Sequence, residues 1–313
     1  MIAPASLARW RRGLRLDAAD TPLGAIRRYP TSKQAQGLSR VLYWDRHILV
    51  HNKESGRDCQ NYGIESAGSE RFHLPGLPYQ VHRLDKNTTG ALLLARTSQR
   101  AKELSRDFRQ HNIHKTYHAL VLNLDDQLKI VDNGEVTMWH HLDAENRPRL
   151  VPAGTDGARE AKTAWRVLGL SGYNQGALLE LNPTTGFKHQ LRLTCAHRLD
   201  KPILGDSLHG RFESVAKRGH AFVRDDEAPN LQMQGFGGMF LHASRISVTR
   251  FRRTGPSKRL QLTIGAPLPP NWIELCNFLG IALPPELIEG GVSVDGERVA
   301  DGRVPELDGE WVW

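Results

Sequence analysis

The chain has 313 residues, of which 39% are hydrophobic and 24% charged, and its net charge is +8. Those proportions exclude a disordered chain, and no apolar run approaches the roughly 18 residues that a membrane span needs. The length suits one large domain or two small ones, and the positive excess points to an anionic partner, nucleic acid first among them.

In chain order, residues 1–16 carry Arg9, Arg11, Arg12 and Arg15 and no acid, with Leu7, Trp10 and Leu14 between them. That is the look of a mitochondrial presequence; a basic arm that touches nucleic acid is the other reading. Residues 1–20 are therefore set apart from a body at 21–280. Val41–Trp44 and Ile48–Val50, split by Asp45-Arg46, read as a strand pair. Residues 54–80 are rich in Gly, Ser and Pro and read as a loop. Ala91–Ala95 is a short apolar run, expected as a buried strand. Ser98 is the expected N-cap of a helix in which Ala101, Leu104 and Phe108 share one face. Tyr117–Leu122 reads as a strand, 123–160 as polar loop, and Thr163–Leu168 and Ala177–Leu181 as further strands. Phe187–Arg198 has helical character and ends before Pro202, which cannot sit inside a helix. Residues 211–238 read as a charged excursion, followed by strands at Leu241–Arg250 and Leu260–Ile264. Strands and helices mix without regular strand–helix–strand spacing, so the expected fold class is α+β.

Residues 281–313 hold eight acids and two bases. This tail is therefore −6, and residues 1–280 are +14. It is rich in Gly and Pro and its hydrophobic residues show no long period, so it is expected as an acidic, loosely ordered appendage.

Several chemistries lack their signatures. There is no GKS/GKT phosphate loop, no GxGxxG opening a helix, no HExxH and no GxSxG. Cys59, Cys195 and Cys276 are too few and too scattered for a disulfide framework or a cysteine zinc site, and they fit a reducing compartment. His111, His114 and His118 would meet on a helix, but the strand at Tyr117–Leu122 separates them, so no metal is expected. The pentapeptide HRLDK occurs twice, at His82–Lys86 and His197–Lys201. Asp85 is followed by Asn-Thr-Thr-Gly, a turn whose amides and hydroxyls can hold a carboxylate, whereas Asp200 is followed by Lys-Pro. Asp85 is either a turn-capping residue or a reacting one.

Val81–Gly90, with His-Arg-Leu-Asp at 82–85, resembles the HRLDxxTSG signature of RluA-type pseudouridine synthases, Thr89 standing for the usual Ser. Further likenesses follow in the same order. Lys115–Val121 resembles KxYxALV, Gly186–Arg192 resembles GRxHQLR, Pro202–Gly210 resembles HPILGDxxYG, Leu241-His242-Ala243 resembles a late LHA strand, and Ala266–Pro269 resembles APLP. Asp45 and Val50–Lys53 are similar to the opening strand pair. The set spans about residues 40–270. Phe187 departs from the usual Arg, Glu54 from a Pro, and Asp200-Lys201 from Gly-His.

The resemblance implies the pseudouridine synthase fold, a mixed and mainly antiparallel sheet with flanking helices and loops. It implies isomerisation of uridine to pseudouridine in RNA, expected in mitochondrial large-subunit ribosomal RNA, with tRNA the other class. No metal, nucleotide or other cofactor is implied. The catalytic group it implies is Asp85 as the essential carboxylate, Arg192 as its guanidinium partner and Tyr117 at the target base. His82, Arg83, Lys86, Lys188, His189 and Gln190 are the expected RNA contacts, His189 and Gln190 chiefly as loop-orienting groups. RNA is the expected partner, with no membrane and no nucleotide; the expected state is a monomer and the expected site the mitochondrion, with cytoplasm or nucleus the alternatives. The rival reading is a non-catalytic RNA-binding or ribosome-assembly factor that retains the fold.

Overall fold

The computed structural model describes residues 41–67, 74, 76–122, 132–171, 176–210, 238–252 and 258–313. The presequence-like segment and nearly all of the 211–238 stretch expected as a charged excursion lie outside them. β1 (Val41–Trp44) and β2 (Ile48–Lys53) pair antiparallel, as expected. The Asp45 carboxylate closes their turn by accepting the backbone N–H groups of His47 and Ile48 at 2.6 and 3.0 Å. Helix α1 (Cys59–Ala67) and the two-residue β3 (Tyr79–Gln80) lead to β4 (Thr89–Ala95), which is buried throughout. Helix α2 (Ser98–Arg109) buries Leu104. β5 (His114–Leu122), β6 (Asn133–Leu142), β7 (Pro148–Val151), β8 (Arg159–Leu170) and β9 (Gly176–Pro183) follow. The short α3 (Gln190–Leu193) runs into a π-helical turn at Thr194–Arg198. β10 (Leu241–Phe251), β11 (Arg259–Gly265), α4 (Pro270–Leu279), α5 (Pro285–Glu289) and β12 to β15 (Gly291–Val294, Glu297–Arg298, Arg303–Val304, Gly309–Trp311) complete the chain.

These strands form one continuous sheet in the order β14-β15-β1-β2-β4-β10-β5-β9-β8-β6-β7, with β11 on β10, β12 on β11, β13 on β12 and β3 on β4. Among the described residues β4 and β10 run parallel and the other pairings are antiparallel. The α+β expectation therefore holds. The parallel pair starts at His242 opposite Thr89 and Ala243 opposite Gly90. At Gly90 the backbone has φ +106° and a Cβ would lie 2.3 Å from the Ala243 carbonyl oxygen, so only glycine fits. That contact sets the loop before β4 against the start of β10.

Several expectations are corrected. Residues 281–313 are not a loose appendage: β12 extends the sheet beside β11, and β15 pairs with β1. Leu287, Val292, Val304 and Leu307 are buried in the same clusters as the central strands. The acids lie on its surface while a few apolar residues at irregular spacing carry the packing, which is why no period shows. The polar stretch 123–160 contains β6 and β7, whose inward residues Met138 and His140 alternate with more exposed ones. The loop at 54–80 contains α1, anchored by the fully buried Tyr62. The α2 N-cap is Thr97, not Ser98; its hydroxyl accepts the Arg100 N–H at 3.2 Å. The helix expected from Phe187 starts only at Gln190, because His189 is held in the left-handed region at φ 56°.

Candidate active site

The loop that carries Asp85 lies between β3 and β4, and two groups beneath it fix its path. Lys53 ends β2 with its side chain buried, and its ammonium donates to the carbonyls of Glu54, Lys86 and Thr88 at 2.9, 2.7 and 2.9 Å. Burial pushes the Lys53 ammonium down to about 8. Cys59 on α1 clamps Leu84 from both sides: its Sγ accepts the Leu84 N–H and donates to the Leu84 carbonyl, each at 3.3 Å. Thr88 closes the turn by donating its N–H to the Asp85 carbonyl at 3.0 Å. Thr89 Oγ1 then lies 2.8 Å from His242 Nδ1, tying the loop to β10.

Arg192 approaches Asp85 from α3. Its Nη1 donates to Asp85 Oδ2 at 3.3 Å. Its Nε and Nη2 donate to the two oxygens of Asp206 at 2.8 and 2.6 Å, a bidentate pair. Burial alone would lower the Arg192 guanidinium; the bonds and charge of Asp206, with the charge of Asp85, raise it instead. Burial would raise Asp206, but Arg192 and the backbone N–H groups of His209 and Leu208 hold it below its ordinary value. The guanidinium is thus anchored by one carboxylate and presented to another. The Asp206 side chain is sealed at 1% exposure, while that of Asp85 is 22% exposed.

Asp85 and Arg192 line a cleft of about 550 Å³ that also holds Tyr117, Lys115, His189 and Leu241. Burial, then the charge of Asp85, raises the Tyr117 phenol above its ordinary value, so it is a protonated donor at neutral pH. Lys115 lies two residues before Tyr117 on β5, hence on the same face. Its ammonium donates to the Thr185 carbonyl at 2.8 Å, and burial pushes it down to about 8. The cleft mouth carries the exposed Arg83 with Arg109, His111 and Lys188.

The expected RNA contacts divide. Arg83 is exposed at the mouth and Lys188 lines it, its ammonium donating to the Asn146 carbonyl at 2.7 Å. Lys86 is exposed on the same turn. His189 lines the cleft with Nε2 4.0 Å from Asp85 Oδ2. His82 is spent on the wall: its Nε2 accepts the Leu93 N–H at 2.9 Å, its ring stacks on Phe108 at 4.8 Å, and burial pushes it down to about 3. Gln190, expected chiefly as a loop-orienting group, lines the cleft and has its amide engaged in the loop. Its amide is 4% exposed, accepts from Thr185 Oγ1 and the Phe187 N–H, and donates to the Lys162 carbonyl and Thr163 Oγ1. Phe187, the departure from Arg, packs edge-on to His140 at 4.4 Å. Asp200, in the second HRLDK, is not among the residues lining the cleft. Among the described residues no group of three His, Cys, Asp or Glu side chains is placed to hold a metal ion, and no helix is long and apolar enough to cross a membrane.

Sequence reasoning missed Lys115, Asp206 and His209 as site residues. Strand parity with Tyr117 signals Lys115. Asp206 and His209 lie in the string Pro202–Gly210, but nothing in that string says that Asp206 grips Arg192 or that His209 meets His189.

A carboxylate beside a buried guanidinium and a protonated phenol, in a cleft with a basic mouth, is equipped to act on an uncharged ring carried by a polyanion. A family model described as RNA pseudouridylate synthase matches residues 47–197. A tRNA pseudouridine synthase C from Yersinia pestis is 34% identical over 221 residues, 66% of this chain and 79% of that protein. A mitochondrial RNA pseudouridine synthase 3 from rice is 35% identical over 59% of this chain, which spans 44% of that protein. In structure, human RNA pseudouridylate synthase domain containing 4 is similar in fold, with a TM-score of 0.56 and 23% identity over 78% of this chain and 94% of the other. The chain belongs to the RNA pseudouridylate synthase family, whose members are isomerases that act on RNA.

Proposed function

We infer that this chain converts one or a few uridines of a structured RNA to pseudouridine, with Asp85 as the essential carboxylate. The observation that carries the reading is the Asp206–Arg192–Asp85 bridge, which presents one carboxylate to a cleft containing Tyr117. In the reaction the N1–C1′ bond breaks, the uracil turns over, and C5 bonds to C1′. Asp85 acts at the ribose or the base, Arg192 keeps it aimed, and Tyr117 stacks on the uracil and holds a proton beside it. A base reaches such a cleft only by leaving its stack, and the cations Arg83, Arg109 and Lys188 at the mouth offset that cost through phosphate contacts.

The substrate class is large-subunit ribosomal RNA, as read from the sequence, or tRNA, as named for the Yersinia relative. The basic residues at 9–15 and the name of the rice relative support a mitochondrial site. Site-resolved pseudouridine mapping of total and mitochondrial RNA, with and without the gene, tests both. Loss of one rRNA or tRNA position supports the reading and identifies the substrate. Full retention of every position favours a binding factor that keeps only the fold.

A further inference from the structure

Three imidazoles form a line from the cleft to the surface. His189 lines the cleft, and its Nε2 stands 4.0 Å from Asp85 Oδ2. Its other nitrogen, Nδ1, lies 2.9 Å from His209 Nε2, a ring-to-ring hydrogen bond. The exposed His197 stands edge-on to His209, with ring centroids 6.2 Å apart. None of these contacts is needed to hold Arg192, which Asp206 already grips with both oxygens.

A hydrogen bond between two imidazole nitrogens uses one N–H and one lone pair. The pair therefore has two tautomeric states that differ by a displaced proton. The backbone pins it in place. His189 is in the left-handed region at φ 56° and ψ 19°, which is costly for a side chain with a Cβ and is retained where the surroundings fix it. The backbone N–H of His209 donates to Asp206 Oδ1 at 3.1 Å, so the backbone that carries the ring is tied to the carboxylate that anchors Arg192. His189 is faced by Asp85, Arg192, Lys188 and Asp206, and His209 by Asp206, Arg192, His189 and His197. Burial is the largest influence on both rings and lowers both, His209 to about 4. Such rings are neutral at rest and pass a proton on rather than keep it.

We propose that His189 removes the proton from C5 of the rearranged uracil and that His209, hydrogen-bonded to it, relays the proton to solvent. This rests on the assignment of pseudouridine formation to the cleft. Once C5 is bonded to C1′ it still carries its hydrogen. The C5–H bond breaks and its electron pair forms the C5–C6 double bond. The C6–N1 π electrons move to N1, which takes up one proton from solvent. The C5 proton lands on His189 Nε2, the proton on His189 Nδ1 moves to His209 Nε2, and the far nitrogen of His209 releases one at the surface. One proton leaves and one arrives, so the isomerisation stays neutral.

The test is single-turnover pseudouridine formation on RNA carrying protium or deuterium at C5 of the target, with RNA affinity and thermal unfolding measured beside it. The wild-type chain is expected to show little isotope effect. His209→Phe is expected to fall in rate by about tenfold to a hundredfold, the low end of what one acid–base group supplies, and to expose a deuterium effect at unchanged RNA affinity. His209→Gln keeps a hydrogen-bonding group toward His189 but cannot carry a proton through. It is expected to behave as His209→Phe, and added imidazole is expected to restore part of the rate of the Phe variant. Wild-type rate in His209→Gln would reduce His209 to a positioning residue and overturn the relay. So would a His209→Phe variant that is slow but shows no isotope effect and no rescue. If the wild-type chain forms no pseudouridine on any RNA, the assignment of the cleft has failed first, and the relay falls with it.

Discussion

Two buried arginine–aspartate pairs sit at opposite ends of β2, β4 and β10, and they differ in one respect. At one end Arg250 donates to Asp45 at 2.8 Å, with side chains 2% and 0% exposed. Asp45 also accepts from Tyr43 Oη and from the His47 and Ile48 N–H groups. That carboxylate accepts all four of these bonds from within the fold, so it braces the β1–β2 turn. At the other end Arg192 holds Asp206 just as tightly and has a third N–H to spare, which it gives to Asp85. The same chemistry becomes a site when the arginine serves a second carboxylate that faces a cleft.

That contrast is broken most sharply by Asp85→Asn. Pseudouridine formation should fall by about 10²–10⁴ or more, while the unfolding midpoint and RNA affinity stay near wild type; a variant that modifies its RNA at the wild-type rate would remove Asp85 from the chemistry. Asp45→Asn should do the reverse. Leaving Arg250 charged and buried without its partner costs about 3–5 kcal/mol, read as a lowered denaturation midpoint, while the folded fraction keeps its rate per molecule. Asp206→Asn should do some of both, because it frees the guanidinium that aims Asp85. Its acid dependence follows from the direction of its shift. Asp206 is held below its ordinary value near 3.8, so its contribution is complete above that pH and is lost as pH falls through the lower folded value. The variant should show a shallower loss of stability in acid, measured by denaturation from pH 5 to 2. Tyr117→Phe is a smaller change: it keeps the ring for stacking and removes the proton. A reduced rate at unchanged RNA affinity assigns the phenol to proton transfer, and an unchanged rate confines it to stacking.

The sequence made one end of this comparison more legible than the other. Asp85, Tyr117 and Arg192 stood out because each sits in a string that resembles a family motif, and the apolar runs at 41–50, 91–95, 117–122, 177–181 and 241–250 announced their strands. Asp206 lies in such a string too, but nothing local says that it grips Arg192; a turn 14 residues away arranges that. The Asp45–Arg250 brace was invisible for the same reason, with 205 positions between its partners. Residues 281–313 misled through composition. Eight acids suggest a solvated tail, yet a strand needs only alternate residues to face the core, and β12 and β15 find partners in β11 and β1. Gln190 was legible as a loop-orienting group, but the four bonds that spend its amide on Thr185, Phe187, Lys162 and Thr163 show only in the folded chain.

The smallest expected effect sharpens the contrast between the open cleft and the sealed brace. Lys115 opens on the cleft, and burial holds its ammonium down to about 8. Below that pH it is charged and can attract an RNA phosphate; above it the charge is lost. RNA affinity should therefore decline as pH rises through about 8, more steeply than in Lys115→Gln, which begins weaker and stays flat across the same range. Releasing one phosphate contact should also reduce the dependence of affinity on salt by about one unit of slope. Binding titrations at pH 7, 8 and 9 and two salt concentrations read both quantities. Identical pH curves for the two proteins would remove Lys115 from the RNA interface and leave its Thr185 hydrogen bond as its whole contribution.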